Sequence, residues 1–219
     1  MSQPIPILHQ DEHLLVVTKP AGLLSVETPG TEGLTLPEAL AEQGFEVIPV
    51  HRLDREVSGC VLFALDAATR DGLEELFRAR ALTKTYWALA QGHVKPAQGL
   101  LHFPILEDGA FARVSALGKK SETRYRTLAT FAEATELEID LITGRRNQIR
   151  VHFAHAGFPL VGERKYARGK DSSVHIRSRR IALHAWKIAF AHPRTGVQIS
   201  IESPLPEDLL EVRRAARRA

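Results

Sequence analysis

Short apolar segments follow one another across tight polar turns in this chain, and that spacing constrains the fold more than any other feature. Residues 5–9 and 14–18 read as strands around the turn Gln10-Asp11-Glu12-His13, and residues 121–128 and 135–142 as a second antiparallel pair. Further strands are expected at 60–65, 83–90, 180–185, 187–191 and 197–201. Helices are expected at 36–43, 67–80, 146–155 and 206–217, with Asp66 as the cap of the second and Leu73, Leu76 and Phe77 as its buried stripe. Strands outnumber helices and do not alternate with them. That favours an α+β fold on a central, mostly antiparallel mixed sheet over a doubly wound parallel one. No GxGxxG or GxxxxGKS/T run is present, so nucleotide-cofactor folds lose support.

A chain of 219 residues suits one catalytic domain, expected over 1–219. Cys60 is the only cysteine, so no intrachain disulfide can form; its apolar surroundings predict a buried thiol rather than a reactive one. The N-terminus lacks a signal-peptide pattern, and no window approaches the about 18 apolar residues of a membrane span. A soluble, cytoplasmic protein is expected. The net charge of +3 says little, but its distribution says more. Between residues 145 and 187 stand eleven Lys or Arg, Arg168 and Lys170 among them, against two acids, Glu163 and Asp171. Such a stretch suits phosphate binding, and equally a solvated basic surface.

Three segments carry candidate chemistry. His51-Arg52-Leu53-Asp54-Arg55-Glu56-Val57-Ser58-Gly59 is a polar loop leading into an apolar strand, a usual seat for catalytic groups; the plainer reading is a surface ion pair at Asp54. In the strand 83–90, Tyr86 shares a face with Lys84, Ala88 and Ala90, where it can stack on a base or fill a core. Residues 144–155 read as a helix with Arg146 and Arg150 four apart, as are Gln148 and His152; an ordinary basic helix explains it too.

These segments resemble motifs of the RluA family of pseudouridine synthases. HRLDREVSG (51–59) is similar to HRLDxxTSG, KTYWALAQG (84–92) to KxYxAxxxG, and GRRNQIRVHFAHAGFPLVGERKY (144–166) to GRTHQIRxHxAxxGxPIxGDxxY. DEHLLVVTKPAGL (11–23) resembles the opening strand and KPxG turn, and the four occur in family order. Val57 stands where threonine is usual, Arg146 and Asn147 replace threonine and histidine, and Glu163 replaces aspartate.

The resemblance implies an RNA-binding cleft over the sheet and isomerisation of uridine without cofactor or metal. It implies Asp54 as the catalytic carboxylate, paired with Arg150. Tyr86 would lie against the uracil, and Arg52 would hold the space left by the flipped base. His51, Arg145, Arg146, Gln148, His152 and Lys165 are expected at the RNA. The implied partner is structured RNA, 23S-type ribosomal RNA, transfer RNA or both. No membrane and no obligate protein partner is indicated, and a monomer without an S4-type domain is expected. Two other readings are a non-catalytic RNA-binding module, which suits the basic stretch, and a metal hydrolase. The latter rests on His152, His155, His175 and His184, without an HExxH run or a cysteine pair.

Overall fold

The structure is a computed structural model that describes residues 4–27, 30–109, 111–167 and 176–218. Arg168, Lys170, Asp171 and His175 lie outside the described residues. In chain order the first elements are β1 (Ile7–Gln10), β2 (Leu14–Lys19), α1 (Leu36–Ala41), β3 (Ile48–Pro49), β4 (Ser58–Ala64) and α2 (Ala67–Ala79). There follow β5 (Thr83–Gln91), β6 (Gln98–Leu101), β7 (Ile105–Asp108), β8 (Phe111–Val114), β9 (Thr123–Thr130) and β10 (Ala134–Leu141). Then come α3 (Gln148–His155), β11 (Leu183–Ala191), β12 (Gln198–Glu202) and α4 (Glu207–Arg218). The class is α+β. Internal contacts divide the chain into two compact units, Met1–Lys84 with Ala185–Pro204, and Thr85–His184 with Leu205–Ala219.

In the first unit β2 pairs antiparallel with both β1 and β4. All seven residues of β4 are buried, which is why the run from Cys60 to Ala64 is apolar throughout instead of alternating. Burial pushes the Cys60 thiol up to about 12, so it is inert filling. The two helices start where their caps dictate. Thr35 and Glu38 form a reciprocal capping box on α1, and the Asp66 carboxylate accepts the Thr69 N–H at 2.8 Å on α2. Leu73 is fully buried, and Leu76 and Phe77 pack beside it on Leu14, Val16, Leu62 and Phe190. Gly59 marks a close approach. It has φ +122°, and a Cβ there would stand 2.2 Å from the Ala185 carbonyl oxygen.

In the second unit β10 pairs antiparallel with β5 and β9, and β6 pairs with β9. Tyr86, Ile139 and Tyr125 lie in register and share one face. The β7–β8 hairpin packs on α3 through Ile105, Ala112 and Val151. Glu207 and Asp208 in the first turn of α4 and Arg217 and Arg218 in its last complement the helix dipole.

Several expected boundaries shift. The helix expected from 146 begins at Gln148, because Asn147 takes a left-handed conformation (φ 51°) and Arg146 stays outside it. Arg146 and Arg150 therefore do not share a helix face. The strands expected at 180–185 and 187–191 are one strand, β11, and β3, β6, β7 and β8 were not anticipated.

Candidate active site

Two backbone clamps hold the loop that carries Asp54. On one side, the buried Ser25 hydroxyl donates to the Leu53 carbonyl at 2.9 Å and accepts the Leu53 N–H at 3.0 Å. On the other, Lys19 is 0% exposed, and its ammonium donates to the carbonyls of Pro20, Leu23 and Arg55 at 2.9, 2.7 and 3.2 Å. The Gly22 N–H donates to the Arg55 carbonyl at 2.7 Å, and Arg55 Nε returns a bond to the Gly22 carbonyl at 2.9 Å. The turn 19–22 and the loop 51–57 are thus laced together. Leu53 is buried, and the Val57 N–H closes a turn onto the Asp54 carbonyl at 3.0 Å. Asp54 itself is half-buried and Arg52 exposed. A carboxylate displayed on backbone fixed on both sides is what a preorganised catalytic group needs. Sequence reasoning read Lys19 only as part of a turn and missed Ser25, which sits 28 residues before its partner.

His51, expected at the RNA, is half-buried and bound within the protein. Its Nε2 accepts the Leu62 N–H at 2.9 Å, and its ring lies 5.0 Å from that of Phe77. Burial, with the Lys84 charge adding to it, holds its pKa down at about 3, so the ring is neutral and structural.

In the second unit, the first turn of α3 is organised by Gln148. Its Oε1 accepts from Thr143 Oγ1 (2.7 Å) and the Arg145 N–H (3.0 Å), and its Nε2 donates to the Glu122 carbonyl (3.0 Å) and Thr123 Oγ1 (2.9 Å). Every donor and acceptor of this buried amide is spent inside the protein. His152 is 0% exposed, and its Nε2 donates to the Phe103 carbonyl at 2.9 Å. Gln148 and His152 are therefore interior braces; their expected place at the RNA is corrected by burial.

Arg150 points inward from the same helix. Its Nε and Nη2 donate to the two oxygens of Glu163 at 2.8 and 3.0 Å, and its guanidinium lies 5.3 Å from the centre of the Tyr166 ring. Tyr86 is 7% exposed, on a strand whose interior residues are all buried. Asp54 and Arg52 belong to the first unit, and Tyr86, Gln148 and Arg150 to the second.

The remaining expected RNA contacts are more open. Arg146 is exposed, and its Nη1 donates to the Gly109 carbonyl of the β7–β8 turn at 2.7 Å. Arg145 and Lys165 are half-buried, the Lys165 ammonium standing 4.4 Å over the Phe111 ring, which is 54% exposed. A groove of about 420 Å³ on the β6–β9–β10 sheet includes Arg124, Arg126, Glu138 and Asp140 among its lining residues. Its two cations face two carboxylates, so it does not attract phosphate as a purely basic cleft does.

The RNA pseudouridylate synthase family model matches residues 13–155, which include the Asp54 loop, β5 and α3. The chain is 37% identical over 218 residues to ribosomal large subunit pseudouridine synthase C of Escherichia coli, covering 93% of this chain and 67% of that protein. It is 35% identical over 213 residues to the dual-specificity RNA pseudouridine synthase RluA of Pasteurella multocida, covering 91% of this chain and 93% of that one. The solved structure of human RNA pseudouridylate synthase domain containing 4 superposes with a TM-score of 0.81 at 26% identity, covering 97% and 93% of the two chains. With the four motifs in order and the fold in common, the chain belongs to the RluA family of RNA pseudouridine synthases, isomerases that act on RNA.

Proposed function

We propose that this enzyme converts specific uridines of structured ribosomal RNA, transfer RNA or both to pseudouridine, with Asp54 as the catalytic carboxylate. The names of the relatives support these targets: one acts on the ribosomal large subunit and another is dual-specificity. The observation that carries the assignment of Asp54 is the pair of clamps on its loop, which fix the backbone on either side of a half-buried carboxylate.

The reaction breaks the N1–C1′ bond, turns the base and joins C5 to C1′. The C5 proton leaves and N1 gains one, so neither redox cofactor nor nucleotide energy is required. Arg150 is the ionic partner of Asp54 in this proposal. Tyr86 lies against the uracil, and the planar guanidinium of Arg52 replaces part of the stacking lost when the base flips, a loss of a few kcal/mol. Arg145, Arg146 and Lys165 meet the RNA backbone. Residues 1–219 work as one catalytic domain, as a monomer in the cytoplasm, without an obligate protein partner.

Tritium release from RNA labelled at C5 of uridine tests the reading. Wild type is expected to release tritium, and Asp54→Asn to release none while still retaining RNA on a filter. Failure of wild type on both ribosomal and transfer RNA would favour the non-catalytic RNA-binding module. Loss of RNA binding in step with activity in Asp54→Asn would make Asp54 structural.

A further inference from the structure

Arg150 is held in one orientation by a carboxylate to which no role has been given. Glu163 is buried, its side chain 0% exposed, and four donors converge on it. Two come from the Arg150 guanidinium at 2.8 and 3.0 Å, and two are the backbone N–H groups of Lys165 and Tyr166 at 2.8 and 3.1 Å. The carboxylate itself cannot drift. Glu163 follows Gly162, whose φ of +81° admits no ordinary side chain and where a Cβ would stand 2.1 Å from the Arg180 carbonyl oxygen. The Glu163 N–H is bound to the Leu160 carbonyl at 3.0 Å. The far face of the guanidinium is bounded by Tyr166, whose hydroxyl accepts from Asn147 Nδ2 at 2.6 Å. A bidentate fork fixes the plane as well as the position of a guanidinium, which a single point contact does not.

We propose that Glu163 is a positioning residue for catalysis, setting the plane in which Arg150 presents its guanidinium. The inference rests on the role proposed for Arg150 and adds a requirement to it: orientation, beyond charge, is needed for turnover.

The test compares Arg150→Lys, Glu163→Gln, Glu163→Asp and Arg150→Ala by single-turnover tritium release with enzyme in excess. RNA dissociation constants and thermal midpoints are measured beside it. Arg150→Lys keeps the buried charge pair, and its thermal midpoint sets the temperature at which the folded variant is assayed, but an ammonium cannot take the fork. Its rate is expected to fall at least tenfold with the RNA dissociation constant unchanged within twofold. Glu163→Gln is expected to follow it at temperatures where the variant is folded, and Glu163→Asp, which restores the charge, to recover most of the rate. A wild-type rate in Arg150→Lys, or in folded Glu163→Gln, overturns the proposal if Arg150→Ala is inactive. A wild-type rate in Arg150→Ala instead overturns the reading of Arg150 on which it rests.

Discussion

Removing one oxygen atom from Ser25 tests whether the Asp54 loop is held as described. The Ser25 hydroxyl serves both backbone groups of Leu53, donating at 2.9 Å and accepting at 3.0 Å, and the two residues are 4% and 5% exposed. In Ser25→Ala neither the N–H nor the carbonyl of Leu53 has that partner, and little water reaches them. A buried polar group left unsatisfied costs about 1–3 kcal/mol, so two give a loss of about 2–4 kcal/mol after partial relaxation. For a chain of this size that lowers the thermal midpoint by about 5–15 °C. Leu53 directly precedes Asp54, so the rate of tritium release is expected to fall while RNA affinity holds, at a temperature where the variant is folded. Thermal and urea unfolding followed by circular dichroism supply the stability, and single-turnover assays the rate. A midpoint within about 1 °C of wild type would refute the reasoning, because Leu53 would then be held by something other than Ser25.

Two further outcomes follow from the same structure. Gly59→Ala places a Cβ 2.2 Å from the Ala185 oxygen and 2.6 Å from its nitrogen at a φ of +122°, so it is expected to lose about 3 kcal/mol or more in urea denaturation; an unchanged midpoint would contradict the close approach. His51 gives stability a pH dependence. The unfolded ring takes a proton below its ordinary pKa of 6.5, whereas the folded ring refuses it until about 3. The contribution is therefore present above pH 6.5 and declines as pH falls toward 3, by about 1 kcal/mol at pH 5.5. Wild type is expected to lose more stability between pH 7.5 and 5.5 than His51→Gln, whose amide oxygen can still accept the Leu62 N–H; equal losses would show that His51 is not the cause.

Local chemistry made much of the fold legible. The Asp66 cap and the Leu73 stripe predicted α2, and the unbroken apolar run predicted β4, because both signals lie within a few residues. The four-residue strands β6, β7 and β8 carry no such signal. Their residues are half exposed, and their strand state comes from partners such as Arg124, Arg126 and the facing arm of the hairpin. The start of α3 was misplaced for a similar reason. Arg146 is an adequate helix former, but Asn147 after it turns left-handed (φ 51°), and the Arg146 N–H is held by Glu107, 39 residues away.

The sequence by itself determined the family, the α+β class and the identity of the polar residues available for chemistry, since these depend on which side chains stand in which order. It could not say which of those polar residues face inward. Gln148 and His152 look like RNA contacts as letters and are interior braces in the fold, because burial is set by everything packed around a residue. Lys19, Ser25 and Glu163 gain their meaning only from partners 36, 28 and 13 positions away. A buried hydrogen bond depends on the distance between two atoms, and only tertiary structure brings such distant atoms within about 3 Å of one another.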